Sequence, residues 1–158
     1  MTIDPHTGRP RSTVVVDAGR LWSGGLATAL VAGLVGGLGV LVCQGVLDIK
    51  LTKPALWLDL TDSFAFNYAA TAFAAALAAT GLAHLLSVTT PKPRAFFGWI
   101  IGLLTAAAMV LPFAQSGTMA SKIAASVINL VIGLAIASLL TAVLSRTVVD
   151  AERTWQQP

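Results

Sequence analysis

Charge is scarce in this sequence. Asp, Glu, Lys and Arg together make up 11% of its 158 residues, where a soluble globular domain carries about a quarter. A chain so poor in charge cannot cover a water-facing surface, so much of its surface is built to face lipid. The net charge is only +3, and the basic residues flank apolar runs rather than forming a face. They read as topology signals and exclude a nucleic-acid-binding class. The single cysteine, Cys43, excludes an intrachain disulfide and a cysteine metal centre within one chain. Val42 precedes it where a lipoprotein signal needs a small residue, so Cys43 is read as a small hydrophobe within a helix. All seven acidic residues fall outside the apolar runs. Proton-coupled carriers usually keep an acid inside the membrane, so this counts against ion-coupled transport. Only one of the two histidines, His84, lies within an apolar run; His6 sits in the N-terminal tail, which argues against ligation of a haem by two histidines. No nucleophile–base pair can be assigned. The sequence therefore predicts no catalytic residues, no metal site and no cofactor, and it does not predict an enzyme.

What is abundant is apolar: 56% of the residues, gathered into four uncharged stretches. These run over residues 21–47, 64–88, 96–114 and 123–145. About 20 apolar residues in a helix cross the ~30 Å of bilayer hydrocarbon. A helix also satisfies its own backbone hydrogen bonds, as lipid demands. None of the stretches alternates apolar and polar residues as a membrane β-strand would. The first stretch exceeds the apolar run of about 7–15 residues in a secretory signal and is read as a retained span. The expected fold is all-α: an integral membrane bundle of four transmembrane helices with antiparallel neighbours. Residues 1–20 form an N-terminal tail, 21–146 the membrane domain and 147–158 a C-terminal tail. Met1 to Thr13, with Pro5, Gly8 and Pro10, is expected to be disordered. Pro91 and Pro93 turn the chain between spans two and three, and Ser116-Gly117 breaks it between three and four.

Orientation follows from Lys and Arg. Arg9, Arg11, Arg20, Lys92, Arg94, Arg146 and Arg153 lie on one side, and Lys50, Lys53 and Lys122 on the other. The side with seven is expected to be cytoplasmic, which puts both termini on the cytoplasmic face of a plasma (inner) membrane. Trp22 and Trp99 then mark the inner interface, and Phe64, Phe66, Tyr68 and Phe113 the outer one.

Small residues recur every four positions, and so on one helix face. Span one has Gly25, Ala29, Gly33 and Gly37; span three has Gly98, Gly102 and Ala106; span four has Ala125, Asn129, Gly133 and Ala137. Such faces let helix backbones approach closely. They pack the bundle internally or join it to a second chain, and span one, densest in glycine, is the best candidate for an outside partner. Asn129 is read as structural glue between helices. His84, near the cytoplasmic end of span two, is either an interfacial residue or a functional group. Lys122 opens span four against the helix dipole, which points to a lipid phosphate or acidic loop residue as its partner. Lys92 and Arg94 are candidate contacts for anionic headgroups, or simply topology signals. Gln44, Asn67, Tyr68 and the aspartates 48, 59 and 62 sit at the outer water interface, with Asp62 suited to cap span two.

Three segments carry a resemblance: Val16-Asp17-Ala18-Gly19-Arg20-Leu21-Trp22, Pro91-Lys92-Pro93-Arg94-Ala95-Phe96-Phe97-Gly98-Trp99-Ile100, and Ala120-Ser121-Lys122-Ile123 followed by Ile128-Asn129-Leu130-Val131-Ile132-Gly133. Over about residues 14 to 148 the chain resembles a small four-span membrane family of actinobacteria whose function is unknown. The resemblance implies a four-helix membrane fold in an actinobacterial plasma membrane and supplies no activity or site residues. Two functional readings remain. One is a non-enzymatic accessory or scaffold subunit, with the bilayer and a membrane protein or second copy as partners. The other is an oligomeric carrier or channel for an apolar or lipid-like substrate.

Overall fold

The computed structural model describes residues 18–54, 57–90 and 92–153. Most of the N-terminal tail, with Arg9 and Arg11, lies outside the described residues, as do Pro91 and the chain beyond Arg153. Four helices and one short 3-10 turn make up the described fold: α1 (Ala18–Gly45), α2 (Phe64–Thr89), α3 (Pro93–Val110), the 3-10 turn Leu111–Ala114, and α4 (Met119–Arg153). Among the described residues there is no strand, and all four helices are long and apolar enough to cross a membrane. The helix bounds differ from the apolar runs at their ends. α1 stops at Gly45 rather than Leu47, and α4 continues past Ser145 into the segment expected to be a tail.

Local chemistry sets those ends. The N–H groups of Val46 and Leu47 both bond the Val42 carbonyl, at 3.0 and 3.2 Å. Asp48 then takes a left-handed φ of 51°, a conformation that ends a helix. α2 is capped by Ser63, whose hydroxyl accepts from the Phe66 N–H at 3.3 Å. The sequence pointed to Asp62 for this role. Ser63 takes it because it directly precedes Phe64 in an extended conformation (φ −82°, ψ 113°), while Asp62 stays exposed. Pro93 opens α3 at its first turn, where its missing N–H is not needed. α4 begins after Thr118, whose hydroxyl accepts from the Ser121 N–H at 3.2 Å. Gly117, with φ of 156°, makes the reversal into α4, and a Cβ there would press on Thr52 at 3.1 Å.

Consecutive helices run in opposite directions. One end of the bundle carries the first loop (46–63) and the 115–118 link; the other carries α3's start and the entry to α1. α1 packs along α2 and α4, and α4 packs along α3, whereas α2 and α3 touch little despite being consecutive. The glycine stripe of α1 lies inside the chain. A Cβ on Gly25 would overlap Thr80 of α2. A Cβ on Gly33 or Gly36 would come to 3.2 Å from Ala69 or Ala72 of α2, a tight contact. Of the two readings of that face, it is internal packing that these contacts fit: the face seats α2, whose own alanines let the two backbones close together. Gly133 of α4 similarly seats Thr105 of α3. In contrast, Gly98 and Gly102 of α3 have open space before them, and α3 is the least buried of the four helices.

Residues 58–61 of the first loop are held chiefly by one side chain. Asn67, buried at 2% exposure, accepts from the N–H groups of Leu60 (3.1 Å) and Thr61 (3.0 Å). It donates to the Thr61 carbonyl (2.6 Å) and to Asp59 (3.2 Å). The Leu58 N–H adds a bond to the Thr71 hydroxyl at 3.1 Å. Trp57 stacks on Phe64 with ring centroids 4.9 Å apart and meets Tyr68 edge-on at 6.5 Å. Asn67 is thus the anchor of a strap over the bundle end rather than a marker of the water interface.

Candidate ligand-binding cleft

The gap between α2 and α3 is a cleft of about 460 Å³, within the size range of small-molecule sites. Its α2 wall is Thr71, Ala72, Ala75, Ala78, Ala79 and Leu82. Its α3 wall includes Ile101, Leu104, Thr105, Ala107 and Ala108, and α4 supplies the back with Ala125, Asn129, Ile132, Gly133 and Ile136. At the loop end, Thr52, Lys53, Pro54 and Gln115 frame the mouth. The void has a sequence cause. Four of those six α2 residues are alanines, too short to reach across to α3, and α3 is held to α4 instead.

That attachment is made by polar bonds with an identifiable origin. Pro112 has no N–H, so the Ala108 carbonyl one turn earlier loses its helical partner. Asn129 Nδ2 donates to that carbonyl at 2.8 Å. The switch to a 3-10 turn also leaves the Met109 carbonyl open to α4, and Ser126 Oγ bonds it at 2.7 Å. Asn129 Oδ1 in turn accepts from the Tyr68 hydroxyl at 2.8 Å. One amide therefore ties α2, α3 and α4 together at the upper part of the cleft. Tyr68, expected in an outer aromatic belt, is 3% exposed and forms a wall of the cleft. The hydroxyls of Thr80 and Thr105 return to the carbonyls four residues earlier, at 2.9 and 2.8 Å, which satisfies them without water.

The other residues singled out from the sequence lie elsewhere. Ala29 is fully buried in the core, and Ala137 is half-buried against it. His84 is half-buried, and its Nδ1 is buried without a hydrogen-bond partner among the described residues; it does not line the cleft. Lys92 is exposed beside the first turn of α3. Arg94 lines a shallow groove on α3's outer face with Gly98, Trp99 and Gly102. Lys122 Nζ donates to the Phe113 carbonyl at 3.4 Å, so its partner is the 3-10 turn of this chain rather than an acidic loop residue. Cys43 is buried in α1. Among the described residues no three His, Cys, Asp or Glu side chains gather as metal ligands do.

Sequence reasoning found Asn129 but missed Tyr68, Lys53 and the alanine wall as parts of one site. The available signal was α2 itself: a span with alanine on every face cannot fill the space to two neighbours. No curated protein and no solved structure matches the chain. One family model does, over residues 16–146. That match takes in all of α1, α2 and α3 and the membrane part of α4, and on it the chain belongs to the DUF6069 family, a family of unknown function.

Proposed function

We propose that this protein is a non-enzymatic, multi-pass protein of the plasma membrane that binds a lipid-like molecule from the bilayer in the cleft between α2 and α3. The observation that carries this reading is the cleft itself. It is an apolar, bilayer-depth space of about 460 Å³ with convergent polar groups at one end, the usual anatomy of a small-molecule site. The distribution of Lys and Arg supports both termini in the cytoplasm, so the mouth framed by Lys53 and Gln115 opens toward the outer leaflet. The resemblance noted above supports an actinobacterial membrane. The test is native mass spectrometry of protein purified in mild detergent, beside an Ala75→Trp variant that fills the cleft. The expected result is a bound lipid-sized molecule lost in Ala75→Trp while the helical content stays intact. A wild-type protein that carries nothing, or a variant that retains the same molecule, overturns the reading.

A second reading, an accessory or scaffold subunit, is favoured by α3's outward face. There Gly98 and Gly102 meet open space, and Trp99 and Leu103 are 75% and 66% exposed. Gly102→Leu would then release a co-purifying membrane protein or second copy while leaving the fold unchanged. An unchanged complex removes that face from consideration.

A further inference from the structure

We infer that the occupant of the cleft is a neutral single-chain amphiphile carrying a hydroxyl group, held with that hydroxyl on the Tyr68–Asn129 pair and its tail toward Leu82. This rests on the reading of the cleft as a ligand site.

The cleft is polar at one end only. Thr52, Lys53, Tyr68, Thr71, Gln115 and Asn129 gather toward the loop end, and the walls beyond are alanine, leucine and isoleucine apart from Thr105 and Gly133. The Thr105 hydroxyl is already bonded within its own helix. From Tyr68 to Leu82 the α2 wall rises about 20 Å at 1.5 Å per residue, roughly two-thirds of the hydrocarbon thickness. A single extended chain fits that length better than a bulky ring system.

The hydrogen-bonding capacity left over on the pair defines the head. The Tyr68 hydroxyl uses its proton on Asn129 Oδ1, which leaves its oxygen free to accept. Asn129 gives one amide hydrogen to the Ala108 carbonyl, and the second has no partner among the described residues. An acceptor and a donor thus stand side by side. An alcohol fills both, giving its proton to Tyr68 Oη and accepting from Asn129 Nδ2. An ether fills only the donor, and an alkane neither. Charge balance argues against an anionic head. Lys53, the one charged residue lining the cleft, lies 3.8 Å from Asp59 and 5.3 Å from the centre of the Trp57 ring. Asp59 is itself held by Asn67. A carboxylate head would also face the lone pairs of the tyrosine oxygen.

The test is equilibrium binding of radiolabelled 1-hexadecanol to the full-length protein in phosphatidylcholine nanodiscs, with hexadecyl methyl ether, hexadecane and palmitate as competitors. The alcohol should bind about fivefold more tightly than its methyl ether, the loss of one net hydrogen bond. It should also bind more tightly than the alkane and palmitate. Tyr68→Phe alone would leave Asn129 Oδ1 free to accept from the alcohol, so the variant used is Tyr68→Phe/Asn129→Leu, which removes both partners. In it the alcohol and the ether should bind alike, while hexadecane is unchanged. The ether comparison in the wild type needs no mutation, so it stands even where the double variant fails to fold. Equal binding of alcohol and ether by the wild type, a preserved preference for the alcohol in the double variant, or tighter binding of palmitate overturns the assignment of a neutral hydroxyl head. No binding of any probe by the wild type, or full binding by Ala75→Trp, overturns the cleft reading on which it rests.

Discussion

The two sides of α2 are built from the same residue and end in opposite ways. Toward α1, Ala69 and Ala72 meet Gly33 and Gly36, Ala76 beside them is fully buried, and the backbones close until a Cβ at Gly25 would overlap Thr80. Toward α3, Ala75, Ala78 and Ala79 face a gap. Small residues permit close approach, but they do not enforce it. The partner helix must also be free to come. α1 comes close while also packing along α4. α3 is held off by its bonds to α4, through Asn129, Ser126 and the seat of Thr105 over Gly133. At the other end of the cleft Phe97, one turn before Ile101, is fully buried in the core and fills the space that is empty above it.

The sharpest way to break this comparison is to place one bulky residue on each side of α2. Ala76 is fully buried and Ala75 is exposed to the cleft, yet they are adjacent in sequence. Ala76→Phe should destabilise by about 3 kcal/mol or more, because overpacking a closed seam forces backbones apart. Ala75→Phe should stay within about 0.5 kcal/mol of wild type, as substitutions away from tight packing do. Thermal unfolding in detergent, followed by circular dichroism, reads both. Equal losses would mean that the cleft is as closed as the α1 seam. Gly25→Leu belongs to the same class as Ala76→Phe, since its side chain would occupy the place of Thr80.

A smaller effect tests why α3 stays with α4. Asn129→Leu should cost about 1–2 kcal/mol, by leaving the Ala108 carbonyl unsatisfied. Pro112→Ala restores an N–H at the position that would bond that carbonyl. The double variant should therefore lose less than the sum of the two single variants, and a double-mutant cycle measures the difference. Strict additivity would show that Asn129 acts through Tyr68 alone.

How much of this was legible beforehand follows the same division. Four spans, their antiparallel order and the small-residue faces are set by composition and by the 3.6-residue period, both local properties of the chain. Asn129 was legible as glue because an amide in lipid has few other uses. Which stripe packs inside was not legible, because Gly25, Gly98 and Gly133 look alike until their neighbours are placed. Tyr68 and Asn67 were read as interface markers from their position near the end of a span. Helix rotation, which a hydropathy pattern without amphipathic bias does not fix, turned them inward. The role of Asn129 toward Pro112 needed the register of α3 against α4, which no spacing within one helix reveals.

The smallest change in structure is the cleanest discriminator, because it compares one methyl group at two glycines. Gly133→Ala introduces a Cβ into Thr105 of α3. The hydroxyl of Thr105 is bonded to Ile101, so its rotamer does not yield freely, and α3 must shift; a loss of about 1–3 kcal/mol follows. Gly102→Ala introduces the same methyl where nothing lies within contact distance. Its only consequence is the gain in helix preference of alanine over glycine, up to about 1 kcal/mol and less in a span whose backbone bonds are already enforced by lipid. Unfolding in detergent micelles should therefore show a lower midpoint for Gly133→Ala and an unchanged or slightly raised one for Gly102→Ala. A loss at Gly102 that appears in native membranes but not in dilute detergent would mean that a partner seated on α3 had been displaced. That outcome would move the accessory-subunit reading ahead of the lipid-binding one.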